Sequence, residues 1–236
     1  MKFDTIYSLG SRCQNSEILK KYNYREFSGF FDFMNTHSVD NIIHILDDDF
    51  QELLNPDNNV VLTCNALTIE PETGIPLASS KRTSNRQYNK DVNDVHSCIF
   101  PHHDLSSTKD YDHFVKCKKR FKSLNSFNVL FNYTFNVWEN NISIDQAEKI
   151  AEIINKKHKF SNFKICFIGL NVCDKKEYKK VESHELWDMW SLCISPYSFT
   201  GGLFSDFQSN ENYINIIRSY ELNDTRVTKE QIDNLL

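Results

Sequence analysis

Hydrophobic positions along the chain switch between two periods, and the switches mark out elements. Phe3 to Ser8 reads as a short strand, Leu9-Gly10-Ser11-Arg12 as a turn, and Cys13 to Tyr22 as a helix. Ser11 and Gln14 fit the S-x-x-Q capping box, which makes Ser11 the expected N-cap. Val39, Ile42, Ile43, Leu46, Phe50 and Leu53 recur at helical spacing behind Ser38, a second expected N-cap. This spacing predicts one helix as far as Leu53. Asp47, Asp48 and Asp49 fall on its solvent side as a solvated charge cluster; consecutive helical positions point too far apart to share a metal.

Val60 to Cys64 reads as a strand, and Val95 to Phe100 as another that ends at Pro101. Between them the pattern fades into a polar insertion or flap near residues 71–95, punctuated by Pro71, Gly74 and Pro76. Thr108 or Asp110 opens a helix carrying Tyr111, Phe114, Val115, Lys118, Phe121 and Leu124. Within it the basic run from Lys116 to Arg120 reads as a solvated face. Phe127 to Phe135 alternates as a strand. Ser143 and Gln146 box the start of a helix with Ala147, Ile150, Ala151 and Ile154 inward, and Phe163 to Leu170 is a further strand. Beyond Asn171 the signal weakens. Trp187 and Trp190 fit either core or a binding surface, Gly201-Gly202 fits a turn, Ile214 to Tyr220 fits a helix, and Thr228 with Gln231 caps a short last helix. Helix–strand–helix–strand order from 108 to 170 predicts an α/β fold, a mostly parallel sheet flanked by helices. One α/β domain over residues 1–236 is expected.

Composition narrows the function. Of 236 residues, 40% are hydrophobic and 13% aromatic, enough for a folded core. A net charge of −5 gives no general basic field for nucleic acid or anionic membrane. No apolar run reaches the length of a membrane span, and the N-terminus lacks a leader pattern, so a cytoplasmic protein is expected. Seven cysteines at irregular spacing, with no C-x-x-C, read as thiols in a reducing compartment rather than a zinc site or disulfide framework. No metal and no cofactor is expected.

Cys13 is the strongest chemical candidate. It follows a strand and a Gly turn and opens a helix, where unpaired N–H groups and the helix dipole favour thiolate. Gly10, Ser11 and Arg12 precede it; Gly10 permits close approach, and backbone N–H groups at Arg12 and Cys13 could form an oxyanion hole. His102 and His103 follow the end of another expected strand, and sites in parallel sheets form at strand carboxyl ends. A Cys–His pair suits thiol acyl transfer. Asp32, Asp104 and Asp188 are candidates to orient the imidazole; Asp32, flanked by aromatics, needs a partner if buried.

The segments Ser8-Leu9-Gly10-Ser11-Arg12-Cys13, Phe27-Ser28-Gly29-Phe30-Phe31-Asp32-Phe33, Phe100-Pro101-His102-His103-Asp104, Tyr111 to Phe121 and Val129-Leu130-Phe131 together resemble a family of bacterial papain-like cysteine peptidases. Its pattern is S-L-G-x-x-C, a P-F-D-W-like segment, and F-x-H before a basic helix. The resemblance runs over most of residues 3–207. It implies Cys13 as nucleophile, His102 or His103 as base, and Asp32 at the acidic position. It also implies an α+β papain-like fold as the alternative to the parallel sheet. Gly29-Phe30 stands where Pro-Phe is common, and Phe33 where Trp is usual.

The first functional reading is a cytoplasmic cysteine hydrolase or acyl-transferase acting on a small-molecule, peptide or glycan substrate. The resemblance also implies a link to surface-polysaccharide genes. The alternative is therefore a sugar-phosphate or nucleotide-sugar protein, with Gly10, Ser11 and the helix start cradling phosphate and Arg12 as countercharge. A third reading is an inactive interaction module that presents Trp187 and Trp190 to a partner.

Overall fold

A computed structural model of the chain describes all residues except 11–12, 37, 65–79, 90, 94–98, 138–140, 196–198, 201–202 and 205; the side chains of Cys13, Gln14, Cys64, Ser80, Phe199, Thr200 and Leu203 also lie outside the description. In chain order the elements are β1 (Thr5–Ser8), α1 (Cys13–Lys21), α2 (Val39–Asp47), α3 (Gln51–Leu54), β2 (Asn59–Cys64), β3 (Ser80–Asn85), α4 (Thr108–Ser123), β4 (Val129–Asn136), α5 (Ile144–Glu152), β5 (Phe163–Val172), β6 (Tyr178–Ser183), β7 (Trp187–Ile194), β8 (Phe199–Thr200), β9 (Leu203–Phe204), α6 (Phe207–Arg218) and α7 (Lys229–Asp233).

The central sheet has the order β1-β4-β5-β7-β6. β1, β4, β5 and β7 are parallel neighbours, and only β6 runs antiparallel, at the edge. The expected α/β architecture is therefore the observed one. Strand alternation divides two cores, because successive side chains point to opposite faces. Val129, Phe131, Tyr133 and Phe135 of β4 join Phe163, Ile165, Phe167 and Trp187 on the face that also packs α2, α4 and α5. Leu130, Cys166, Ile168, Trp190, Leu192 and Ile194 face α1 and α6 on the other side.

Several elements follow the sequence signals. Ser38 caps α2 by accepting from Asn41 N, and Ser143 with Gln146, like Thr228 with Gln231, closes a full capping box. Five expectations need correction. The helix expected to run to Leu53 breaks after Asp47, because Asp49 and Phe50 take φ of 58° and 63°. The break aims Asp48 at the start of α3, where its carboxylate accepts from Glu52 N at 2.9 Å, and aims Asp49 at Lys118 and Lys122. Asp48 and Asp49 are thus bonded links between elements, not part of a solvated cluster.

Within the polar insertion, residues 80–85 form β3, which pairs antiparallel with β2 from Asn59↔Asn85 to Cys64↔Ser80. Thr83, Ser84 and Asn85 are fully buried; Thr83 Oγ1 donates to His103 O and Asn85 Nδ2 to Asn59 Oδ1 in place of water. The basic run on α4 is solvated only in part, at Lys116 and Lys119. Cys117 and Arg120 are buried, and Arg120 grips Asp233 of α7 through Nε at 2.8 Å and Nη2 at 3.1 Å. Trp187 and Trp190 are also buried, so they belong to the two cores and not to a partner-facing surface. Among the described residues no helix is long and apolar enough to cross a membrane.

Candidate active site

Two turns and one helix start meet at the carboxyl end of β1. Gly10 follows that strand with φ +94°, a left-handed conformation that disfavours any side chain, and a Cβ there would meet Thr36 Oγ1 at 3.3 Å. Asn15, in the first turn of α1, locks this corner: its Nδ2 reaches Ser8 Oγ at 3.2 Å, Gly10 O at 3.1 Å and Asn132 O at 3.0 Å. Tyr213 on α6 meets the side-chain carbonyls of both Asn15 and Asn132. The start of α1 is thus pinned to β1, β4 and α6 by buried polar bonds, which are costly to leave unmade. Cys13 begins α1 as expected. Its side chain, and Ser11, Arg12 and the Ser11–Gln14 capping box, lie outside the described residues.

The Asp32 turn packs against the same helix. Ser16 Oγ donates to Asp32 O at 3.3 Å, and Arg25 Nη1 donates to Ser16 Oγ at 2.7 Å and to Asp32 Oδ2 at 3.1 Å. Gly29 N adds a bond to Asp32 Oδ2 at 2.8 Å. Asp32 therefore has the partners that its apolar flanks require. Even so, burial raises its carboxyl to about 6, against the lowering pull of Arg25 and the Gly29 N–H. Gly29 has its own reason: a Cβ would lie 2.9 Å from the buried Tyr7 ring, while Phe30 N donates to Tyr7 Oη at 2.7 Å. The turn lies directly on β1, a contact that glycine allows.

Phe33 carries this turn to the histidines. The Arg25 guanidinium lies over one side of the Phe33 ring, 5.8 Å from its centroid, and the His103 ring meets Phe33 edge-on at 5.4 Å. Asn35 N also donates to Ile99 O at 2.8 Å, just upstream of the pair. The 29–36 segment thus contacts both the Gly10–Ser16 corner, through Asp32 and Thr36, and the Ile99–His103 segment, through Phe33 and Asn35. The β2–β3 hairpin holds the histidine segment from behind. Thr83 exchanges backbone bonds with Phe100 at 3.0 Å, and its hydroxyl donates to His103 O and accepts from Leu105 N.

The two histidines differ. His102 is exposed. Its partial desolvation, the Arg82 guanidinium and His103 keep it below the ordinary histidine range. His103 is half-buried, with Nδ1 3.5 Å from Asp110 Oδ2 in the first turn of α4, and its ring stacks on His113 at 6.2 Å. Asp110 also accepts from Asp104 N at 2.8 Å.

Asp104 and Asp188 do not take the orienting place proposed for them. Asp104 pairs with Lys81 at 2.8 Å and bonds Ser106, because the chain turns there. Asp188 is three strands away from β1, bonded to Lys164, Lys180, Ser183 and Tyr220. In the sequence Asp110 reads as a possible start of the α4 helix, and its two-residue offset from Thr108 carries no signal of the loop that folds back on it. Asn15 carries no signal in the sequence, because asparagine within a helix looks neutral.

A Cys–His contact lies on α4, with Cys117 Sγ 3.6 Å from His113 Nε2. It is unsuited to nucleophilic chemistry. Cys117 is fully buried, and burial pushes its thiol up to about 12. Among the described residues no cluster of three or more His, Cys, Asp or Glu could hold a metal.

No curated protein and no solved structure matches the chain. A protein family does match, over residues 4–176, a span that holds the β1–α1 corner, the Asp32 turn, the histidine segment and α4. The chain belongs to that family, described as "putative papain-like cysteine peptidase" (DUF1796), and so to a group read at its coarsest as cysteine hydrolases.

Proposed function

We propose that the protein is a cysteine hydrolase or acyl-transferase in which Cys13 is the nucleophile, His103 the general base and acid, and Asp110 the residue that positions His103. The observation that carries this reading is the 29–36 segment, which contacts both the Gly10–Ser16 corner and the His103 ring. His103 is preferred to His102 because it alone of the two faces a carboxylate. Asp32 acts in this scheme as a buried brace that fixes Arg25 and the turn, since its carboxylate is already bonded to Arg25 and Gly29 N.

The chemistry balances without a cofactor. The Cys13 thiolate attacks a substrate carbonyl carbon, and the C=O electron pair moves to oxygen, toward the helix-start N–H groups. As the tetrahedral species collapses, protonated His103 gives its proton to the leaving amine, alcohol or thiol, and a thioester remains. Neutral His103 then takes a proton from water or an acceptor nucleophile, which attacks the thioester and releases the Cys13 sulfur. A screen of fluorogenic peptide and ester substrates with the full chain and with Cys13→Ser tests this. Turnover confined to the parent chain supports it; turnover that survives the substitution contradicts it.

A further inference from the structure

A cationic cavity of about 500 Å³ opens beside this site, on a protein whose net charge is −5. Lys20 at the end of α1, Arg25, His113, Lys116 and Arg120 on α4 and Lys229 on α7 line it, with Glu26, Phe27 and Ser28 completing the wall. Local carboxylates neutralise only part of this charge. Asp32 takes Arg25, Asp233 is shared by Lys116 and Arg120, and Glu26 is engaged by Arg226 at 2.9 Å. The five Lys and Arg side chains of the lining, with Arg226 beside Glu26, therefore set six positive charges against three carboxylates, an excess of three. Lys20 and Lys229 have no ion pair among the described residues, and Arg25 uses only Nη1, leaving Nε and Nη2 free to donate.

We propose that this cavity binds the phosphate group of a phosphorylated small molecule. A single carboxylate would leave two of the three charges uncompensated, whereas a phosphate monoester, at about −1.5 to −2, leaves about one and a diphosphate matches them. The Nε and Nη2 donors of Arg25 and the two exposed ammonium groups suit its three-oxygen face. The volume lies in the range of small-molecule sites. The concave shape, closed by three separate elements, argues against a polyanion lying along an extended basic stripe. The assignment is independent of Cys13 chemistry, because none of the lining residues is assigned to the reaction. The cavity does touch that site through Arg25, which lies over Phe33, and through His113, which stacks on His103.

Isothermal titration of the full chain with inorganic pyrophosphate, at low ionic strength, tests this. The expected result is saturable binding to one site, weakened about tenfold or more in the Lys20→Gln/Lys229→Gln variant. It should be unchanged in Lys149→Gln/Lys179→Gln, which removes the same charge from distant exposed positions, and unchanged after Cys13 alkylation. Both target lysines are exposed, so the variant keeps its fold. Absence of saturable binding, or equal weakening in both double variants, overturns the proposal. Acetate competing as well as inorganic phosphate at equal ionic strength also overturns it.

Discussion

His103 Nδ1 lies 3.5 Å from Asp110 Oδ2, and the same carboxylate accepts from Asp104 N in the loop that carries the histidine. One side chain in the first turn of α4 thus fixes both the ring and its backbone. An imidazole held through Nδ1 presents Nε2 to a partner, which is the geometry a thiol base needs.

Asp110→Asn keeps an acceptor for Asp104 N but removes the charge that faces His103. We expect the fold to be retained and iodoacetamide labelling of Cys13 at neutral pH to slow by about tenfold or more. Mass spectrometry of the labelled chain reads the rate site by site. An unchanged rate would remove Asp110 from the scheme.

Asn15→Leu leaves the carbonyls of Gly10 and Asn132 and the Tyr213 hydroxyl without their shared partner in a buried position. A loss of about 2–4 kcal/mol in unfolding free energy is expected by urea denaturation. Rapid Cys13 labelling should be lost with it, since the corner is no longer pinned. A cost under about 0.5 kcal/mol would mean that the network is not what holds the corner.

Gly29→Ala places a methyl against the Tyr7 ring, which is buried and packed by Phe27, Phe121 and Phe131 and so has little room to yield. Overpacking of this kind costs about 1–3 kcal/mol. Thermal unfolding checks it, and a neutral result would show that the Asp32 turn can lift from β1 freely.

Asp32 gives a pH dependence with a definite sign. Its folded carboxyl titrates at about 6, above the ordinary 3.8, so between these values the folded protein holds a proton that the unfolded chain has released. Its contribution to stability is complete below pH 3.8 and is lost as pH rises through about 6. Compared with Asp32→Asn, which cannot titrate, the parent should lose up to roughly 3 kcal/mol of stability across that window. Parallel stability–pH profiles would contradict the raised value.

The fold was legible where one residue class decides the outcome. Ser38, Ser143 and Thr228 cap helices as their sequences imply, and the alternation of β4 and β5 placed both cores. Reading failed where long-range partners override local polarity. Asp48 and Asp49 look solvated until Tyr88, Lys118 and Lys122 arrive from distant elements. Thr83 looks like loop until Phe100 and His103 complete its hydrogen bonds. At the candidate site, Gly10, Asp32 and His103 stood out because their chemistry is unusual for their neighbours. Asp110 and Asn15 did not, because their partners lie in separate segments that only the fold brings together.

The central claim is that the helix start after β1 carries a reactive sulfur, and the pH dependence of Cys13 alkylation in the full chain tests it most directly. Followed by mass spectrometry against buried Cys117 as internal reference, Cys13 should label with a midpoint below pH 7, while Cys117 stays unlabelled. A Cys13 midpoint at the value of an ordinary thiol, about 8.5 or higher, would contradict the account.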